Sequence, residues 1–211
     1  MKFSLKLLES NKEIQDKILN AMLPEIKKVM NSAVKTVKAN LPTVIYEAII
    51  QSPEYDSLIS GKLKYEFGIV DSNMKLSSLL TSWTSNIVYN YQQPSISNGR
   101  IKFAFSANMI QADYSDVLYA DFASVVDNER GYTLPWLQWL LLEGNATIVR
   151  NYTVSFGPNR FSRTGFALMR PSLQSWKVPS EFAGTINDNW ITRAIDGAES
   201  NIQKLLDGAF S

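Results

Sequence analysis

Asp113, Asp116, Asp121, Asp127 and Glu129 are the residues of this chain best suited by type and spacing to chemistry, and the aromatic side chains Tyr114, Tyr119 and Phe122 lie among them. Two carboxylates held about 5–10 Å apart can run glycoside hydrolysis. A tighter group can hold Ca²⁺ or Mg²⁺ through oxygen ligands. Carboxylates carry the question because the 211 residues contain no histidine and no cysteine. Histidine dominates acid–base work and metal ligation near neutral pH, and cysteine supplies thiolates. A zinc site, a Ser-His-Asp relay, a thiol nucleophile and a disulfide are all excluded. Against the enzyme reading, the acids lack the glycine-punctuated alternation of an EF-hand, and such a density of acids is ordinary for an exposed loop. Ser162-Arg163-Thr164-Gly165 is no nucleophile elbow, and there is neither a Walker lysine loop nor a dinucleotide-binding glycine pattern. The expectation is a protein with no catalytic residue, no cofactor and no metal.

Two other groups of residues suit binding. Arg160, Arg163 and Arg170 alternate with Phe161 and Phe166 around a Gly157-Pro158-Asn159 turn. Such a set can contact nucleic acid by charge and stacking, or serve as salt-bridge partners and solvated charge. The segment from Leu134 to Glu143 reads as a helix that is apolar nearly all round, broken by Gln138 alone. A helix greasy on every side must be buried on every side, either in its own core or partly against another subunit. Tryptophan is enriched at interface hot spots. Trp136, Trp139, Leu140, Arg160 and Arg163 are therefore the expected oligomer interface.

These residues need a scaffold, and composition describes it. Hydrophobic residues make up 45% of the chain, which is the content of a folded globular protein. Net charge is +1, so the overall basic excess of a dedicated nucleic-acid binder is missing. The first residues lack the apolar core of a signal peptide, and the longest greasy run is far too short to span a bilayer. The expectation is a protein made in a cytoplasm.

Helical spacing governs the first part, about 1–84. Residues 8–39 read as two helical pieces, with Pro24 opening the second and Ile26, Val29, Met30, Ala33, Val34 and Val37 along one stripe. Pro42 opens a short helix through Ile50; others are expected over 54–67 and 73–84, the last capped by Asp71 or Ser72. The period then changes to that of strands, over about 85–170. A hairpin is expected near 87–106, turning at Asn98-Gly99, since Asn-Gly is the strongest short hairpin signal. Residues 114–120 suit a strand or a helical turn; 147–156 and 166–169 read as strands. A long helix over about 187–207, capped by Asn187 or Asp188, closes the chain and is expected to pack on the sheet. The fold class is α+β, and 1–211 reads as a single domain.

The order of motifs resembles the tail-completion or neck proteins of tailed bacteriophages, the head–tail connector family. The shared elements are a long N-terminal helix with Leu41-Pro42, then Ser60-Gly61-Lys62-Leu63-Lys64, a β-hairpin region, Val178-Pro179-Ser180-Glu181-Phe182, and Asp188-Asn189-Trp190-Ile191-Thr192-Arg193-Ala194-Ile195 opening a terminal helix. Residues 108–133 match no part of the pattern. The resemblance implies a virion structural protein without enzymatic activity. Such subunits form a ring, usually sixfold, that joins the head connector to the tail around the DNA path. Its partners would be other connector and tail-tube or tail-terminator proteins, with genomic DNA in the lumen, not read for sequence. A small carboxylate-dependent glycan hydrolase of phage origin is the alternative.

Overall fold

The structure is a computed structural model that describes residues 9–108, 114–127 and 131–210. Among them are eight α-helices and three two-stranded antiparallel sheets, so the fold is α+β. In place of one sheet there are three separate ribbons, because no strand has partners on both of its edges. The chain divides into two compact units: residues 1–41, 88–108 and 202–211 in one, 42–87 and 109–201 in the other.

In the first unit lies most of α1, which runs unbroken from Asn11 to Ile50. The breaks expected at Pro24 and Pro42 do not occur. Proline already holds the helical φ, and what it removes is one hydrogen bond to the carbonyl four residues earlier. Those carbonyls belong to Asn20 and Lys38, both exposed residues, where solvent is at hand to replace the lost donor. Met30, Ala33, Val34, Val37 and Leu41 form the buried stripe, whereas Val29 stands exposed on the flank. The hairpin β1 (Val88–Ser97) and β2 (Arg100–Asn108) turns at Asn98 and Gly99, with φ of 53° and 68°, the left-handed pair such a turn demands. A bulge between Gln92 and Ser95 takes in Pro94. The hairpin is tied to α1 by Tyr91 Oη donating to Asn31 Oδ1 at 2.9 Å, by Gln15 Nε2 donating to the Gly99 carbonyl at 3.0 Å, and by Lys38 over the Tyr89 ring.

All five tryptophans fall in the second unit. Here α2 (Pro53–Ile59) and α3 (Lys62–Phe67) are separate, broken at Ser60-Gly61. A Cβ on Gly61 would stand 2.8 Å from the Ser57 Cα, so the break needs glycine. Next comes α4 (Ser72–Ser85). Residues 114–120 include a helical turn, α5 (Ser115–Leu118). The ribbon β3 (Val125–Asp127) and β4 (Tyr132–Leu134) precedes α6 (Trp136–Leu141). The third ribbon pairs β5 (Tyr152–Phe156) with β6 (Ala167–Pro171). The closing helix is two pieces, α7 (Trp190–Gly197) and α8 (Glu199–Phe210). Its cap is Asn189, which accepts from the Ile191 and Thr192 amides while Thr192 Oγ1 accepts from the Asn189 amide. This reciprocal box settles the start later than Asn187 or Asp188 would.

Aromatic packing organises this core. Phe67 meets Trp136, Trp139 and Trp176 with ring centroids at 6.3, 6.0 and 5.8 Å. Trp83 meets Trp190 edge-on at 5.3 Å, and Trp190 Nε1 donates to Ser52 Oγ at 2.7 Å. Those contacts seat α7 on α2 and α4. Gly184 lies against α6 and Gly144 against the 183–184 backbone, and a Cβ on Gly184 would fall 1.8 Å from the Leu140 carbonyl oxygen.

Candidate functional site

Trp136 and Leu140, expected at a subunit interface, are wholly buried inside the second unit, as are Leu137 and Leu141. Trp136 Nε1 donates to the Phe122 carbonyl at 3.0 Å, so even its polar edge is committed internally. That corrects the interface assignment: these side chains reach no partner without opening the core. Trp139 is the half-buried member of α6, its ring stacked on Phe67. Arg163 binds Asp127 Oδ2 at 2.7 Å and lies 3.4 Å from Tyr132 Oη. Arg160 is exposed, its guanidinium 4.7 Å over the Phe161 ring.

Among the described residues, Asp116, Asp121 and Asp127 are not brought together around a cavity. Asp113 and Glu129 lie outside the described residues. Asp116 accepts from Asn86 Nδ2 at 3.5 Å, Asp121 is exposed at the start of a 3₁₀ turn, and Asp127 is held by Arg163. No group of three acids close enough to hold a metal occurs among the described residues. No helix of the described residues is long and apolar enough to cross a membrane.

A cleft of about 560 Å³ does exist, between α2, α7 and the 181–182 segment, and none of those acids lines it. Helical spacing explains its walls. Glu54, Ser57 and Leu58 share the buried face of α2, and Arg193 projects from the first turn of α7. Arg193 donates twice to Glu54 Oε1, at 2.7 and 2.9 Å, and once to Asp188 Oδ1 at 2.8 Å. Ser52 Oγ accepts from Trp190 and from the Tyr55 amide, and donates to the Ile49 carbonyl at 2.6 Å. Its proton and lone pairs are all engaged, so it is no nucleophile. The cleft is a cross-braced joint between two helices. Its brace joins Asp188 and Arg193 of one motif named above to Glu54.

A second polar group sits deeper. Glu66 is buried on α3, 3.8 Å from Lys62 Nζ, and its Oε2 has no hydrogen-bond partner among the described residues. Burial pushes its carboxyl up to about 7; Lys62 opposes this and Glu181 adds to it. The indole nitrogen of the buried Trp176 also opposes the shift from close by, though neither it nor Oε2 completes a well-formed hydrogen bond among the described residues. Glu54 and Glu66 escaped the reading of the sequence, although a signal was present. Each falls on its helix's inner stripe, three or four residues from Leu58 and Leu63, where a charged side chain is out of place.

The ribbon β5–β6 carries the remaining candidates. Its connection is tied by backbone hydrogen bonds from Gly157 to Phe166 at 2.7 Å and from Asn159 to Gly165 at 2.9 Å, and by Ser162 Oγ accepting from the Ala167 amide. Gly157 and Gly165 both have positive φ. The loop is therefore ordered by its own bonds, yet it leaves Phe161 74% exposed.

Compared with known protein families, curated proteins and solved structures, the chain matches none.

Proposed function

We propose that this chain is a structural subunit of the neck or tail end of a tailed bacteriophage. It would close a ring, sixfold by the resemblance, that completes the tail and joins it to the head connector around the DNA path. Its work on this reading is assembly, without catalysis, and its place is the virion after synthesis in the host cytoplasm.

The observation that carries the reading is the amount of large apolar side chain left in solvent. Leu173, Tyr119, Phe161 and Met74 are each more than 60% exposed in the second unit, and Ile18, Met22 and Val29 stand about half exposed on α1. Single exposed apolar residues are ordinary, but a surface with this many suits association. The ribbons add unpaired strand edges, which attract partners by hydrogen bonding. A ring needs head-to-tail contacts whose rotation closes, and such surface is its raw material. The resemblance carried by Leu41-Pro42, Ser60-Gly61 and the 188–195 motif supports a place at the neck or tail end.

The test is the native mass of the purified protein across a range of concentrations. A closed ring, six subunits above all, supports the proposal. A strict monomer that also fails to join isolated tails overturns it.

A further inference from the structure

We propose that the β5–β6 ribbon is a nucleic-acid-binding finger, gripping the phosphate backbone with arginines and stacking a base on Phe161. Residues 144–180 contain Arg150, Arg160, Arg163, Arg170 and Lys177 and not one acid, although the whole chain is nearly neutral. Residues 2–38 are also lysine-rich, but their lysines are interspersed with acids, whereas the ribbon and its flanks carry cations alone. Arg163 is engaged with Asp127 and fastens the loop to the neighbouring ribbon; Arg150, Arg160, Arg170 and Lys177 are exposed. Interleaved with them are exposed rings: Tyr152, Phe156 and Phe166 at about 40% and Phe161 at 74%. Phe166 already leans on Tyr65, at 5.1 Å between centroids, whereas the Phe161 ring has the Arg160 guanidinium beside it.

A phenylalanine exposed this far does nothing for the stability of its own loop. The loop's hydrogen bonds and its two left-handed glycines hold the tip in one shape, so the Arg160–Phe161 pair is presented in fixed geometry. Guanidinium beside an aromatic face is the pairing that receives a nucleotide, cation to phosphate and ring to base. An acidic protein surface would satisfy the arginines but would leave Phe161 without a use. The inference rests on the ribbon alone and does not need the ring.

The test is fluorescence anisotropy with a labelled oligodeoxythymidine, a duplex of mixed sequence and inorganic polyphosphate, across a salt series. Four exposed cations contacting single-strand phosphates give a slope of log affinity against log salt of about −3. Arg160→Ala and Arg170→Ala should each reduce that slope by about 0.7. Phe161→Ala should weaken oligodeoxythymidine binding about tenfold and leave the slope unchanged. These positions are exposed, and far-ultraviolet circular dichroism checks that the variants fold. Equal binding of polyphosphate with no effect of Phe161→Ala would mean ion exchange alone and overturns the proposal. So do absence of DNA binding, and binding that both arginine variants leave intact. The native mass of the same samples reports on ring formation separately, so loss of one reading leaves the other standing.

Discussion

Glu66 sets a pH dependence that can be isolated from every other group. The unfolded chain ionises it near 4.5, whereas the folded chain holds the proton to about 7 because burial disfavours the anion. The folded state therefore has the higher affinity for this proton. Its contribution is fully present below about 4.5, is lost as pH rises towards 7, and is flat beyond. The total is at most about 3 kcal/mol. Glu66→Gln keeps the shape and removes the titration, so the difference in urea midpoint between variant and wild type should grow across this interval in the variant's favour. A constant difference would assign the pH response to another residue. Glu54 is equally buried, yet Arg193 neutralises it with two hydrogen bonds, and no such pairing exists for Glu66 Oε2.

At the scale of elements, α1 tests how far proline can be tolerated. A helix interior ordinarily loses about 3 kcal/mol to proline. Pro24→Ala should restore the bond to the Asn20 carbonyl and raise the thermal midpoint, by the equivalent of about 1–3 kcal/mol. No gain would mean that the chain does not use a continuous helix there. The opposite sign is expected at Gly184, where the backbone of the 183–184 segment touches α6. Gly184→Ala places a methyl inside the Leu140 carbonyl and should cost about 3 kcal/mol or more, visible as a lowered urea midpoint. Some elements were legible in the sequence, others not, and the difference is local sufficiency. The Asn98-Gly99 hairpin lies where expected because two left-handed residues fix the turn without help. The split of the 54–67 helix at Ser60-Gly61 and the division of 187–207 into α7 and α8 were not legible, because local propensity permits one long helix in each place. The close approach of Gly61 to Ser57 belongs to the first break.

At the scale of the molecule, each compact unit has both buried apolar side chains and exposed ones. The second unit holds every tryptophan and buries Trp136, Leu137, Leu140 and Leu141 of α6, so any surface for association must come from what is left exposed. The expectation that Trp136 and Leu140 face a partner failed for a physical reason. An all-round apolar helix of six residues is short enough for one core to enclose. If a ring forms, exposed side chains such as Leu173, Tyr119 and Met74 should govern it. Leu173→Glu with Tyr119→Glu should shift the native mass towards monomer without changing the unfolding midpoint, since neither side chain packs internally.

Composition and periodicity alone determined the α+β class, the hairpin near 87–106, the buried stripe of α1 and the exclusion of histidine and cysteine chemistry. Each of these follows from residue type or from spacing within one element. Only the tertiary structure decided that α6 is core, that the strands form three ribbons, and that Glu54 finds Arg193, 139 residues away, while Glu66 finds no partner for Oε2. Burial and pairing are relations between distant parts of the chain, and no local pattern encodes them. The acid-free run of residues 144–180 could be counted from the sequence, but its exposure on an ordered ribbon could not.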